Sequence, residues 1–270
     1  MQAVDVVRAA RFLTDHLAEP IGLGDVADHV GYSPFHLARC FERHIGMPPG
    51  RFLAGHRFQL AKRMLLDGDD RVLDVCHAAG FTGAGTFTSR FTAMVGSSPT
   101  DFRRLPDLLA SAPPRPVVVP GRARGGSVVT GRVTLTSSAA ATVGPVPFVY
   151  VGLFTKHAAR GLPVSGAMLA GPGEFLLEDV PAGTFWVLAS ALPASADFDA
   201  QLVPDRTVAG AAVEAVYVPA PAAGGLPPRA APARHHRDLV LDVLPAWSSP
   251  VLVALPRLAS PAAQDWQDRR

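Results

Sequence analysis

The chain contains one pattern twice. "LGDVADHVGYSPFHLARCFERHIG", Leu23 to Gly46, and "VLDVCHAAGFTGAGTFTSRFTAMVG", Val72 to Gly96, fall into step about fifty residues apart. Leu23 aligns with Val72, Asp25 with Asp74, Val26 with Val75, Ala27 with Cys76, Val30 with Ala79, Gly31 with Gly80 and Tyr32 with Phe81. The second copy then carries one extra residue. After it, Leu37 aligns with Phe87, Phe41 with Phe91, Ile45 with Val95, Gly46 with Gly96, Pro49 with Pro99 and Phe52 with Phe102. Such a repeat constrains the fold more than local propensity does, because one supersecondary unit must serve both copies.

Each copy reads as helix, tight turn, helix. The first helix, Leu23–His29 or Val72–Ala78, buries one apolar face. Gly31 or Gly80 ends it, where the turn favours a residue with free access to positive φ. Tyr32 or Phe81 plugs the turn into the core. Ser33 is placed as an N-cap with Pro34 at the first helical position, where a missing N–H costs nothing. Thr82 or the Gly83–Gly85 stretch serves the second copy less cleanly. The second helix buries Leu37, Phe41 and Ile45, or Phe87, Phe91 and Val95, at four-residue spacing. This is the helix-turn-helix pattern, whose second helix fits a DNA major groove.

Between the copies, Phe52, Leu53, His56, Leu60, Ala61, Met64 and Leu65 predict one long joining helix, with Arg57, Lys62 and Arg63 on its other faces. Val4, Val7, Ala10, Phe12, Leu13 and Leu17 predict a helix in front, and Pro99–Leu105 a short closing one.

With these residues in place, the first 106 residues resemble the DNA-binding domain of the AraC/XylS family of transcription regulators. The residues that carry the resemblance are Gly31-Tyr32-Ser33, His36 through Phe41 and Gly46, then Gly80-Phe81, Phe87, Arg90-Phe91, Gly96 and Ser98 through Arg103. It covers about 40% of the chain. The resemblance implies a seven-helix domain whose two recognition helices enter successive major grooves about 34 Å apart. It also implies double-stranded DNA and RNA polymerase as partners, a small-molecule effector, and activation as the sense of regulation.

On the first recognition helix the candidate DNA-binding residues are Ser33, Phe35, His36, Arg39 and Arg43. Arg39 matches a family position that contacts bases; an Arg holds a guanine O6/N7 edge with two hydrogen bonds, worth roughly 1–3 kcal/mol of discrimination. Phe35 matches a position that packs on a thymine methyl or the backbone, and Arg43 is set for a phosphate. The alternative for Arg39 and Arg43 is a solvated face, with Glu42 between them. On the second helix the candidates are Ala84, Gly85, Thr86, Ser89 and Arg90. Ser89 stands where many members carry Arg, so base readout leans on the first helix, with backbone contacts and shape fit from the second. Arg57, Lys62, Arg103 and Arg104 read as solvent-facing charge with phosphate contact as the alternative.

Charge does not decide the matter. Residues 1–110 carry 12 basic and 12 acidic side chains, and residues 111–270 carry 13 and 11. A nucleic-acid reading rests on where charges sit. Cys40 and Cys76 fall at apolar helical positions and read as reduced core thiols of a cytoplasmic protein. No stretch reaches the ~18 apolar residues of a membrane-spanning helix, and the start lacks a secretory h-region. His36, His44, His56 and His77 lack metal-ligand spacing, and His235-His236 with Asp238 reads as a polar connector rather than a metal site. No cofactor motif and no nucleophile–base set points to an enzyme.

Ser111–Gly126 is rich in Pro, Gly and Arg and is assigned, with residues 107–126 as a whole, to a linker whose Arg115, Arg122 and Arg124 could brush DNA. Beyond it the periodicity changes. "SVVTGRVTLTS", "PFVYVGLF", "GEFLLEDVPAGTFWVLASAL", "AAVEAVYV", "DLVLDVL" and "PVLVALP" read as strands between Pro/Gly turns. The expectation is a multidomain α-then-β chain, with an antiparallel β-sandwich over 127–258 and a frayed tail, 259–270, carrying Trp266. Gly173–Phe185 resembles the hairpin of transthyretin-like or carboxypeptidase-regulatory-like Ig-type domains, which implies a sensing or assembly module. Phe148, Tyr150, Phe154, Phe175, Phe185 and Trp186 are assigned to its core. A competing reading makes the sandwich the working, partner-binding part and the helical domain a nonspecific DNA tether.

Overall fold

The computed structural model describes residues 2–123, 126–193, 195, 197–220 and 233–260. Arg124, the tail with Trp266 and the middle of the Pro/Ala-rich stretch before His235 lie outside the described residues. The chain divides into two units, one drawn from Met1–Arg104 and Pro245–Leu252, the other from Leu105–Leu244 and Val253–Arg270.

The first unit is helical: α1 (Ala3–Asp15), α2 (Leu23–Val30), α3 (Pro34–Ile45), α4 (Pro49–Asp67), α5 (Val72–Ala78), α6 (Ala84–Val95) and α7 (Pro99–Arg103). The repeat reappears in the backbone. Gly31 sits at φ +78° and Gly80 at φ +83°. The next N–H in each copy bonds back to the first helix, Tyr32 to the Ala27 carbonyl and Phe81 to that of Cys76, both at 3.0 Å. Gly46 and Gly96 end α3 and α6, each at φ +82°.

The core is aromatic. Phe41 meets Phe52 edge-on at 5.3 Å, while Phe58, Phe81, Phe87, Phe91 and Phe102 form a linked cluster with centroids 4.7 to 6.1 Å apart. Phe58 was not in the predicted α4 stripe, because α4 lies between both modules and is buried on more than one side. For the same reason Lys62 departs from its expected solvent position: it is 1% exposed. In α1 the buried residues are Val6, Ala9, Ala10 and Leu13, and Val4 is exposed. Ala9 and Ala10 share the inward face with Val6 and Leu13.

The second unit begins with α8 (Leu105–Ser111) and β1 (Val117–Val119), both earlier than the alternation that marks the other strands. Then come β2 (Ser127–Leu135), α9 (Ser137–Val143), β3 (Pro147–Phe154), β4 (Gly166–Leu169), β5 (Gly173–Val180), β6 (Gly183–Pro193) and α10 (Phe198–Leu202). After them follow β7 (Val208–Ala211), β8 (Val216–Val218), β9 (Arg234–His236), β10 (Leu239–Val243) and α11 (Leu255–Leu258). The strands join in the order β1-β4-β3-β6-β7-β10-β2-β5, with β8 on β6 and β9 on β2. The sheet curls until its ends are bridged. The Gly121 N–H donates to the Glu178 carbonyl at 2.8 Å, and the Ser165 hydroxyl lies 3.1 Å from both the Val119 and Glu178 carbonyls. Val129, Val149, Val151, Leu177 and Val187 fill the inside.

This sheet differs from the expected antiparallel sandwich. β10 and β9 both pair with β2 in parallel. They arrive about a hundred residues after β2, so the long crossover that parallel pairing needs is available. β5 and β6 do not pair with each other as a hairpin; β5 pairs with β2, and β6 with β3, β7 and β8. Of "AAVEAVYV", only Val216–Val218 forms a strand of its own, β8, while β7 lies ahead of it and reaches only Ala211; "PVLVALP" forms no strand, and its last two residues open helix α11. Tyr150, Phe154, Phe175 and Phe185 are buried as expected, while Phe148 and Trp186 are half-buried.

Candidate nucleic-acid interface

The two second helices of the repeat, α3 and α6, each leave one face uncovered. Ser33 caps α3, its hydroxyl accepting from the His36 N–H at 3.3 Å, and Pro34 follows at the first position. With Leu37, Cys40 and Phe41 buried, the outward face carries Phe35, Arg39, Glu42 and Arg43. Phe35 is 77% exposed, unusual for so large an apolar side chain. Arg39 has no hydrogen bond or ion pair among the described residues, so its five donors are available to a ligand.

The neighbouring side chains are held. The Tyr32 hydroxyl donates to Asp5 Oδ2 at 3.0 Å. The Tyr32 ring stacks on His36 with centroids 5.3 Å apart. His36 Nε2 lies 3.5 Å from Cys40 Sγ, and Arg43 Nη2 donates to the same sulfur at 3.4 Å. A chain of contacts thus runs from α1 across the turn to the exposed face of α3. The Gln2 N–H and the Tyr32 hydroxyl hold the Asp5 carboxyl below its usual range, and the shared proton raises Tyr32.

On α6, Gly83 stands at the N-cap and makes no side-chain cap. The Thr86 hydroxyl instead turns back to the Gly83 carbonyl at 2.9 Å. Ser89 Oγ donates to the Gly85 and Thr86 carbonyls at 3.1 and 3.2 Å. Gly85, Thr86 and Ser89 are exposed, and Ala84 is half-buried. The Arg90 guanidinium lies over the Phe58 ring, 5.8 Å from its centroid.

The weaker basic candidates divide. Arg57 donates to the Leu17 and Glu19 carbonyls at 2.8 and 2.7 Å, and Arg103 to the Leu65 and Asp70 carbonyls at 3.2 and 2.5 Å. Both therefore clamp backbone. Lys62 is buried over the Phe102 ring at 5.5 Å, and burial pushes its amine down to about 7. Among the described residues no group of three His, Cys, Asp or Glu is placed to hold a metal, and His236 pairs with Asp238 at 3.1 Å. Both cysteines are free and buried. No described helix is long and apolar enough to cross a membrane.

A family profile described as a helix-turn-helix domain matches residues 26–105, the span that holds both copies. The transcriptional activator AarP of Providencia stuartii is 32% identical over 92 residues, which cover 34% of this chain and 68% of that protein. The chain belongs to the AraC-type helix-turn-helix regulators. The regulator Rv1931c of Mycobacterium tuberculosis is 33% identical over 82 residues, 30% of this chain and 32% of that protein. The melibiose operon regulatory protein of Escherichia coli is 28% identical over 94 residues, covering 35% and 31%. The chain thus spans two thirds of AarP but about a third of the other two relatives. Among solved structures, the DNA-binding domain of AdpA in complex with a target DNA is similar over 37% of this chain and 90% of that one, at 25% identity and a TM-score of 0.36.

Within this AraC-type domain, sequence reasoning missed the supports rather than the exposed residues. The Tyr32–Asp5 bond joins positions 27 apart, and the clamp from Arg57 to Leu17 joins positions 40 apart. Neither spacing has a local signature. Cys40 was legible as buried, but not as the atom on which His36 and Arg43 converge.

Proposed function

We propose that the chain is a sequence-specific transcription regulator that binds double-stranded DNA through α3 and α6, set in successive major grooves. Arg39 reads a base edge, with Phe35 and His36 beside it. Arg43 and Ser33 meet the backbone. On α6, Ala84, Gly85, Thr86 and Ser89 approach the second groove closely, and Arg90 flanks them. The observation that carries this reading is Arg39: an exposed guanidinium without a partner among the described residues, on a helix fixed at its start by Ser33 and at its end by Gly46. The curled sheet is the sensing or assembly module, taking a small effector or a second copy, and RNA polymerase is the partner at the promoter. AarP is named as an activator, and activation is the sense proposed here.

The test is Arg39→Ala against a selected operator at stated salt. The expected loss is about 1–3 kcal/mol, with relaxed preference at one base pair. A variant with the wild-type affinity and base preference would remove Arg39 from the reading set.

A further inference from the structure

The two exposed faces are equivalent by the repeat and opposite in chemistry. Leu37 and Phe87 are matching core residues, so Phe35 corresponds to Gly85, His36 to Thr86, Arg39 to Ser89, Glu42 to Thr92 and Arg43 to Ala93. At all five positions α6 replaces a large or ionisable group by a hydrogen, a methyl or a hydroxyl. All five α6 residues are exposed.

The hydroxyls are also oriented. Thr86 donates to Gly83, Ser89 to Gly85 and Thr86, and Thr92 to Thr88 at 2.8 Å, in every case to a carbonyl of the same helix or of its N-cap. Their hydrogens are committed to the backbone. The outward face therefore offers the Thr86, Ser89 and Thr92 hydroxyl oxygens as acceptors, together with the methyl groups of Thr86, Thr92 and Ala93. Arg90, the basic side chain of this helix, leans over Phe58 at the flank.

The major groove distinguishes such a face. An A·T pair presents the adenine N6 donor and the thymine C5-methyl side by side, which match an acceptor and a methyl. A guanine presents N7 and O6, two acceptors, against Thr86, Ser89 and Thr92 hydroxyls whose protons are turned to the backbone. Leaving those acceptors unpaired in a closed interface is costly. Small side chains also let the helix backbone approach closely, which methyl-to-methyl contact requires.

We infer that α6 reads A·T pairs in the second half-site by the thymine methyl and the adenine amino group, with Thr86 as the principal specificity residue. The operator is then chemically asymmetric, with a guanine read by Arg39 in one half and a thymine-centred core in the other. This rests on the DNA-binding reading above and adds a base preference to it.

The experiment uses the full chain and duplexes recovered by binding selection. Each thymine of the second half-site is replaced singly by deoxyuridine, which deletes only the C5-methyl. At one or more positions the expected loss is about fourfold, the worth of one buried methyl. Thr86→Ser, which keeps the hydroxyl and removes the methyl, should bind thymine and deoxyuridine duplexes alike. Thr86→Val, which keeps the methyl and replaces the hydroxyl by a second one, should keep the deoxyuridine loss and weaken the preference for adenine. A second half-site centred on G·C pairs, or one at which every deoxyuridine is neutral, overturns the inference while leaving DNA reading by α3 intact. So does a recovered motif confined to the first half-site, which would free the α6 face for a protein partner. Recovery of no motif overturns the functional reading itself.

Discussion

The Tyr32 hydroxyl and the Asp5 carboxylate meet at 3.0 Å and tie the turn of the first helix-turn-helix copy to α1. The same carboxylate oxygen accepts the Gln2 N–H at 3.0 Å and so caps that helix. Asp5 is thereby held below its ordinary value, chiefly by the Gln2 N–H and then by Tyr32. The stabilisation is present above the unfolded carboxylate range and is lost as pH falls through the lower, folded value. Thermal unfolding from pH 7 down to 3 should show a smaller acid loss in Asp5→Asn than in the wild type. Equal acid losses would mean that the bond contributes nothing to the fold. Tyr32→Phe removes the hydroxyl bond to Asp5 but keeps the ring that stacks on His36, so it should lower the melting temperature at neutral pH while leaving base preference unchanged.

Lys62 gives a second pH dependence of opposite sense. Burial lowers its amine from 10.5 to about 7 in the fold. Between these values the unfolded chain holds a proton that the folded chain lacks, so stability should rise with pH across that window and level off below it. Lys62→Met should raise stability at neutral pH by roughly 3–5 kcal/mol and flatten the slope between pH 7 and 10. An unchanged slope would show that the amine is not desolvated.

The two turn glycines separate conformational strain from crowding. A Cβ at Gly31 would meet nothing within 4 Å, whereas at Gly80 it would stand 2.5 Å from the Leu17 carbonyl and 2.8 Å from Arg57 Nε. Both have positive φ, which costs an L-residue roughly 1–2 kcal/mol. Gly31→Ala should lose about that amount. Gly80→Ala should lose clearly more, since it must also displace Arg57 from its clamp. Equal losses in denaturant melts would refute the crowding at Gly80.

What was legible in the sequence follows from what is local. Gly31, Ser33-Pro34, Gly46 and their counterparts act within a turn or two, so both copies of the motif could be read directly. Lys62 could not, because its burial depends on α4 being enclosed from more than one side. The same limit governs the sheet. Alternation and apolar runs located β2, β3, β5, β6 and β10, but such patterns assign burial and not partners. The parallel register of β9 and β10 on β2 therefore had no signal. Val117–Val119 was masked by the Pro/Gly/Arg composition around it, and the apolar run before Pro256 was too short to separate strand from helix. In the interface, the side chains that face outward were legible from helical spacing. The Tyr32–Asp5 and Cys40 contacts that hold their neighbours were not.

The most direct test of the central claim is selection of bound fragments from random duplex DNA by the purified full chain, repeated at low and physiological salt. A shared motif with two half-sites one helical turn apart, retained at physiological salt, is the predicted result. Binding without a motif that disappears as salt rises would contradict it, because backbone contact alone carries no sequence information.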